Sequence, residues 1–151
     1  MKSHIVIRRA RRTDAATILA LEALFPSDRM SARTIRRFLS VPSAAIWVAE
    51  RSGEILGSLV LLTRTNTRVA RIYSVVVSPA ARGQGLARRL VSAAERYAQV
   101  NQHSMSLEVR ADNTAARALY RKLGYAETRT LRAYYDDGAD GLRLSKALRR
   151  A

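Results

Sequence analysis

The alternation of apolar and polar side chains along the chain predicts six to seven strands. The corresponding segments are residues 5–8, 45–50, 54–63, 68–78, 104–110, 127–134 and 142–148. Apolar residues at helical spacing predict about four helices, at residues 13–24, 31–39, 86–100 and 113–123. Ser31 is the expected N-cap of the second helix; Asp112 or Asn113 caps the fourth, and Gly124 ends it.

The order of these segments predicts how they are connected. One helix separates the strands at 68–78 and 104–110, so a right-handed crossover should make these strands parallel. Arg51-Ser52-Gly53 is typical of a hairpin turn between the second and third strands. We therefore expect an α/β (α+β) fold with a mixed, mostly antiparallel sheet and a central parallel strand pair, forming a single domain over residues 1–151.

Composition narrows the class of protein. The apolar fraction of 48% and the charged fraction of 26% are typical of a globular chain. The absence of cysteine excludes a disulfide framework, thiolate zinc sites and a cysteine nucleophile, so any thiol chemistry requires a cofactor that supplies the sulfur. Residues 1–9 lack the pattern of a signal peptide, and the apolar stretch at 55–62 is too short for a bilayer, so we expect a cytoplasmic protein without a membrane partner.

The formal net charge of +15 suggests contact with nucleic acid. However, only three of the 27 basic residues are lysine, and the arginines are scattered through every segment without forming one tract. A solvated basic surface is therefore favoured over a dedicated nucleic-acid site, and contact with RNA or the ribosome remains the alternative.

A glycine-rich turn follows the apolar run Val75-Val76-Val77 and opens the third helix. The glycines at 83 and 85 allow backbone conformations closed to other residues, and the free N–H groups of a helix N-terminus bind anions, phosphates especially. The pattern predicts a phosphate-binding turn; the alternative is an ordinary tight turn before a helix.

Candidate acid and base residues follow on the next strand and helix. Polar side chains alternate strictly with apolar ones at 104–110, which predicts a water-filled cleft on one side of an inner strand and makes Glu108 a candidate general base. The alternative is an ordinary surface glutamate. Asn113 and Tyr120 are seven residues apart and share one helix face, so Tyr120 is a candidate general acid, with core packing as the alternative.

Three motifs resemble the GNAT superfamily of N-acetyltransferases. Arg82-Gly83-Gln84-Gly85-Leu86-Ala87 matches its R/Q-x-x-G-x-G/A pyrophosphate-binding signature. Residues 107–116 and 118–125 resemble its bacterial branch that acetylates protein N-termini, the branch of the ribosomal-protein-alanine N-acetyltransferases. The resemblance covers residues 72–125, and the N-terminal third matches mainly in the order of its segments.

The resemblance implies a GNAT fold, acetyl-CoA as co-substrate and no metal. It also implies roles for individual residues. The main chain would hydrogen-bond the pantetheine arm at Val75, Val76 and Val77. The pyrophosphate would be bound by Arg82, Gly83, Gln84, Gly85, Leu86, Ala87 and Arg88. Asn113 would contact the cofactor arm, Glu108 would accept the proton of the attacking amine, and Tyr120 would protonate the departing thiolate.

The resemblance places the acceptor between the loops at 24–29 and 134–138. Phe25, Tyr134 and Tyr135 are then candidate acceptor contacts, although one of the two tyrosines could instead pack over the core. Tyr73 could also reach the cleft, but core packing is the favoured interpretation. The implied reaction is acetyl transfer to a primary amine, with a peptide or protein N-terminal α-amine as the favoured acceptor. A small-molecule amine, a ribosome- or RNA-associated binding module on the same fold, and a monomer or a homodimer all remain open.

Overall fold

The computed structural model describes residues 4–25 and 30–149. In this part of the chain seven strands form one sheet in the order β1-β2-β3-β4-β5-β7-β6. The strands are β1 (Val6–Arg9), β2 (Ala44–Arg51), β3 (Glu54–Leu62), β4 (Val69–Val77), β5 (Ser104–Arg110), β6 (Ala126–Leu131) and β7 (Gly141–Ala147). The α-helices are α1 (Ala15–Glu22), α2 (Ala32–Phe38), α3 (Leu86–Ala98) and α4 (Thr114–Lys122). β4 and β5 are parallel and all other neighbours are antiparallel, which confirms the predicted topology.

The helices cover the two faces of the sheet unequally. Apolar residues of α3 and α4, such as Leu90 and Tyr120, pack in one cluster with residues from β2, β3, β4, β5 and β7. On the other face, Ile18 of α1 and Ile35 of α2 pack in a cluster whose strand residues come from β2 and β3. Among the described residues this second cluster contains nothing from β5, β6 or β7, so the side of those strands opposite α4 keeps its polar residues.

The two parallel strands separate soon after they begin to pair. Their ladder runs from Val69–Ser104 to Arg71–Ser106 and stops there. Opposite β3, the register of β4 shifts where Val60 pairs with Ser74 and Leu61 pairs with Ile72, which leaves Tyr73 as the extra residue of a bulge. Because a bulge bends its strand and strengthens the local twist, β4 turns away from β5 beyond this point. A gap in the middle of the sheet results.

Helix ends agree with the side chains expected there. The Ser31 Oγ accepts a hydrogen bond from the Thr34 N–H at 3.1 Å, and the Asn113 Oδ1 accepts one from the Ala116 N–H at 3.0 Å. Asn113, and not Asp112, is therefore the cap of α4. Gly124 follows this helix with a φ of +96°. No helix within residues 4–25 and 30–149 is long and apolar enough to cross a membrane.

Several predicted boundaries are wrong, such as the end of the third helix, which is predicted at residue 100 and lies at Ala98. The strand expected to reach residue 134 ends at Leu131, because Ala133 adopts a φ of +50° and its N–H donates to the Asp140 Oδ1 at 2.9 Å. This turn places Tyr134 in a loop. The first helix ends at Glu22. Leu24 lies in the turn that follows, and its N–H donates to the Leu21 carbonyl at 3.2 Å.

Candidate active site

A cavity of about 220 Å³ occupies the gap between β4 and β5. Five of the predicted site residues line it: Val75, Glu108, Asn113, Tyr120 and Tyr135. They come from β4, β5, the cap of α4, α4 itself and the loop before β7. The separation of the two strands thus brings together residues that lie up to 60 positions apart in the chain.

The edge of β4 that faces this gap presents backbone groups of alternate residues. The Ser78 N–H donates to the Leu56 carbonyl at 2.7 Å, so Ser78 is directed towards β3. Residues of a strand alternate between its two edges, so Val76 is also directed towards β3, and Val75 and Val77 are directed towards the gap. Of the three valines predicted to offer main-chain groups to the pantetheine arm, only Val75 and Val77 direct these groups towards the gap.

The glycine-rich turn leaves the start of α3 open. Gly83 and Gly85 have φ values of +79° and +72°, and a Cβ at either position would meet no atom within 4 Å. Gly85 is the N-cap residue, and no side chain caps the helix there. The first hydrogen bond of this helix joins the Arg89 N–H to the Gly85 carbonyl, so the amides of residues 86–88 have no acceptor within the helix, as an anion-binding helix N-terminus requires.

Two side chains extend this turn towards other elements. The Gln84 Oε1 accepts a hydrogen bond from the Arg51 Nη1 at 3.0 Å, which adds the end of β2 to the surroundings of the turn. The Arg82 guanidinium lies 5.9 Å from the centre of the Phe25 ring. Sequence reasoning missed Arg51, because only the folded sheet brings the hairpin beside the turn.

Glu108 is held by two arginines. Its side chain is 6% exposed, its Oε1 lies 2.6 Å from the Arg71 Nη2, and its Oε2 lies 3.4 Å from the Arg143 Nε. Arg143 is directly opposite Glu108 on β7, and Arg71 projects from β4 opposite Ser106. The alternative of an ordinary surface glutamate is therefore wrong. Both arginines were missed, because the register between distant strands cannot be read from alternation.

Tyr120 packs in the core and also lines the cavity. The residue is 6% exposed, and its ring meets the Tyr125 ring edge-on at 5.6 Å between centres. Burial raises the pKa of the Tyr120 hydroxyl above its ordinary value. A raised pKa keeps the proton on the hydroxyl at neutral and moderately alkaline pH, which a general acid requires. The two interpretations of this tyrosine are thus compatible.

A second cavity, of about 470 Å³, adjoins the first on the side of the sheet opposite α4. Its lining comprises Arg71, Ile72, Tyr73, Glu108, Tyr134, Tyr135 and Asp136. Four of these residues, Ile72, Tyr73, Glu108 and Tyr135, also line the first cavity, so the two cavities meet at Glu108. The Tyr134 hydroxyl lies 3.5 Å from the Glu108 Oε1.

The remaining predicted contacts are placed as follows. Tyr73 is 41% exposed and lines both cavities, so the interpretation of core packing is wrong for it; the bulge turns it out of the sheet. The rings of Tyr134 and Tyr135 meet edge-on at 5.1 Å, and Arg110 lies 5.2 Å from the centre of the Tyr135 ring. Phe25 does not line the second cavity, and residues 26–29 of its loop lie outside the described part of the chain.

Comparison with known proteins is consistent with this geometry. A sequence profile described as the acetyltransferase (GNAT) family matches residues 10–125. An N-alpha-acetyltransferase of Sulfurisphaera tokodaii is 29% identical over 94% of this chain and 92% of its own length. The N-alpha-acetyltransferase RimI of Mycobacterium tuberculosis is 34% identical over 85% of this chain and 84% of its own length. Among solved structures, the ribosomal-protein-S18-alanine N-acetyltransferase of Escherichia coli superposes with a TM-score of 0.87 at 24% identity, covering 98% and 96% of the two chains.

Proposed function

This chain belongs to the GNAT family of acetyltransferases, and from that premise we propose that it transfers the acetyl group of acetyl-CoA to the α-amine at the N-terminus of a peptide or protein. The single observation that carries the proposal is the meeting of two cavities at Glu108. One cavity lies beside the free edge of β4 and the other opens between the tyrosines of the loop before β7. A carboxylate at their junction is within reach of both reactants.

The residues of the first cavity and of the turn fit acetyl-CoA. The uncapped amides at the start of α3 suit the pyrophosphate, and Arg82 and Arg88 add positive charge there. The pantetheine arm carries amide groups, which suit the backbone groups of Val75 and Val77 at the open edge of β4. Asn113 lines the same cavity, although its Oδ1 is already used as the cap of α4.

In the proposal, each step of the transfer is assigned to a group of this chain. A protonated amine is not a nucleophile, so Glu108 accepts a proton from the acceptor, directly or through water. A backbone N–H at the gap stabilises the oxyanion that forms when the amine attacks the thioester carbon. Collapse of this intermediate breaks the C–S bond, and Tyr120 delivers a proton to the sulfur as it leaves.

The second cavity supports a peptide acceptor. Tyr134 and Tyr135 line it, and the Tyr134 hydroxyl lies close to Glu108. Tyrosines at such a position can hydrogen-bond the backbone of an extended peptide without selecting one side chain. Relatives of similar length carry the name N-alpha-acetyltransferase, which also favours this class of acceptor.

The test compares acceptors directly. The purified chain is incubated with acetyl-CoA and lysine-free peptides with free N-termini, the same peptides with blocked N-termini, or polyamines and amino acids. Thiol release and the mass gain of one acetyl group are measured. We expect transfer to the free peptides only. Faster transfer to the small amines would show that the acceptor is a small molecule and not a peptide. The proposal would be refuted if CoA did not stabilise the chain against heat and the chain did not consume acetyl-CoA.

A further inference from the structure

Glu22 is a buried carboxylate that the proposed transfer does not use. It is the last residue of α1, it is 3% exposed, and it lines neither of the two cavities. Burial raises the pKa of its carboxyl group. A charged group in the interior costs stability unless hydrogen bonds compensate it, so its partners reveal what it does.

Two donors from different elements converge on this carboxylate. The Ser74 hydroxyl donates to the Glu22 Oε1 at 2.7 Å. The backbone N–H of Met30 also interacts with the Glu22 carboxyl and partly offsets the rise in its pKa. Ser74 belongs to β4 and Met30 precedes the N-cap of α2. One side chain therefore connects the end of α1, the start of the α2 segment and the central strand.

The position of Ser74 in β4 gives this connection its significance. Ser74 follows the bulge residue Tyr73, precedes Val75, and lines the cavity between the separated strands. No β5 residue pairs with β4 at this point, so β4 lacks the support of one neighbour where it lines the first cavity. The hydrogen bond between Ser74 and Glu22 attaches β4 to α1 here, in addition to the pairing of β4 with β3.

We propose that Glu22 is a positioning residue for the transfer: by holding Ser74 and Met30, it fixes the bulge of β4 and with it the backbone of Val75. This inference rests on the proposed function, since Val75 matters only if an acyl donor lies in the gap. It assigns Glu22 no contact with either substrate. Displacements of the order of 1 Å are enough to cost up to about 10²-fold in rate, so a hydrogen bond behind the strand can control turnover.

The test uses variants that separate positioning from folding. Glu22→Gln keeps the shape of the side chain but offers only one acceptor oxygen to two donors. Ser74→Ala removes the hydroxyl, and Ser74→Thr keeps it. Glu95→Gln is the matched control, because Glu95 likewise accepts a hydroxyl hydrogen bond, from Tyr125 at 2.7 Å, but belongs to α3 on the other face of the sheet.

We expect Glu22→Gln and Ser74→Ala each to lower kcat by roughly 10- to 100-fold. The Kd for CoA should change by a smaller factor, because the Val75 backbone is displaced but the pyrophosphate turn is untouched. Ser74→Thr should restore kcat. The double variant should be no worse than the more damaging single variant, since both remove one interaction. Glu95→Gln should lower the melting temperature without lowering kcat.

A second measurement decides the question even without turnover. Hydrogen exchange at the Met30 amide, followed by NMR, should accelerate at least about tenfold in Glu22→Gln and stay unchanged in Glu95→Gln. Unchanged exchange, or a kcat that survives both substitutions while only the melting temperature falls, would overturn the positioning role. A wild-type chain that acetylates no amine would instead refute the proposed function, and the exchange result would still decide whether Glu22 holds Met30. If Glu22→Gln does not fold, the contrast between Ser74→Ala and Ser74→Thr provides the same test.

Discussion

At the scale of single residues, the proposed chemistry depends on what surrounds Glu108. Two guanidinium groups and one tyrosine hydroxyl lie around its carboxylate, and all three come from other elements. In the proposed transfer an incoming amine would share these oxygens with Arg71, whose side chain is 44% exposed and can move aside. The arginines thus keep Glu108 in place without blocking it permanently.

Replacing Glu108 by glutamine should lower kcat/KM by roughly 10²- to 10⁴-fold, because the amide cannot accept the proton of the amine. The loss should be greatest at low pH, where little acceptor is free amine, and should shrink as the pH rises. Rates against pH check this. Glu127→Gln is the control, because Glu127 is also paired with an arginine, Arg117, but outside both cavities. Equal losses in the two variants would contradict a role as base.

Replacing Tyr120 by phenylalanine should lower kcat and leave the Kd for CoA nearly unchanged, because only the leaving thiolate loses its proton donor. The ring keeps its contact with Tyr125, so the fold should survive. Single-turnover rates and CoA titration separate the two quantities. Tyr97→Phe, remote from the site, is the comparison. Wild-type turnover in Tyr120→Phe would show that the hydroxyl serves packing alone.

At the scale of elements, the turn before α3 and the separation of β4 from β5 would define the donor side of the proposed site. The turn contributes amides that no side chain caps, and the separated strands expose one edge of β4. Both features are backbone features. Substitutions that change backbone geometry should therefore affect acetyl-CoA binding more than substitutions of nearby side chains.

Gly85→Val should abolish CoA binding, because its left-handed φ of +72° strains a β-branched residue and the added methyl groups would cover the amides. Gly53→Val is a close control: its φ is +80°, a Cβ there also meets nothing within 4 Å, and it lies in the hairpin between β2 and β3. The two variants should lose similar thermal stability. Only Gly53→Val should still be stabilised by added CoA, as a thermal shift assay would reveal.

Local patterns in the sequence predict most of these elements, and non-local pairing explains what they miss. The caps Ser31 and Asn113 and the parallel pair follow from neighbouring residues and from connection handedness. The bulge at Tyr73 arises from a register shift against β3, which no single segment encodes. The ion pair between Arg71 and Glu108 likewise depends on the order of the strands in the sheet. The sequence could therefore nominate Glu108 without predicting its partners.

At the scale of the whole molecule, the net charge of +15 acts on every charged ligand that approaches. Some arginines are neutralised within the fold: Arg8 pairs with Asp14, and Arg110 with Asp112 and Asp137. Acidic residues are too few to compensate the rest. The field of the protein therefore attracts anionic acceptors and repels cationic ones.

Peptides with acidic residues after the N-terminal position should be acetylated with a higher kcat/KM than matched basic peptides at low ionic strength. The difference should shrink as salt is added, because the Debye length falls from about 10 Å at 0.1 M to about 3 Å at 1 M. Any RNA binding should weaken with salt in the same way. Initial rates across a salt series check the peptide preference, and RNA titrations across the same series check the RNA binding. A preference for basic peptides at low salt would show that local contacts outweigh the field.

The folded chain should lose stability at alkaline pH. Burial raises the pKa of the hydroxyls of Tyr120 and Tyr125 above their ordinary value of 10.0. The contribution of these two hydroxyls to the free energy of unfolding is complete below about pH 10. It is lost as the pH rises further, because the unfolded chain releases these protons first. The melting temperature should fall above about pH 10, and less steeply in Tyr120→Phe. An equally steep fall in that variant would contradict the assignment.

The gap between β4 and β5 also has a consequence for the order of events. Acyl donor and acceptor would approach Glu108 through separate openings, so neither has to leave before the other arrives. Initial-velocity plots should then intersect, as they do for enzymes that form a ternary complex. Because the two openings are separate, substitutions at Arg71 or Tyr134 could change acceptor preference while the turn at residues 82–88 stays unchanged. The same acetyl-CoA-binding elements could then be combined with different acceptor-binding residues.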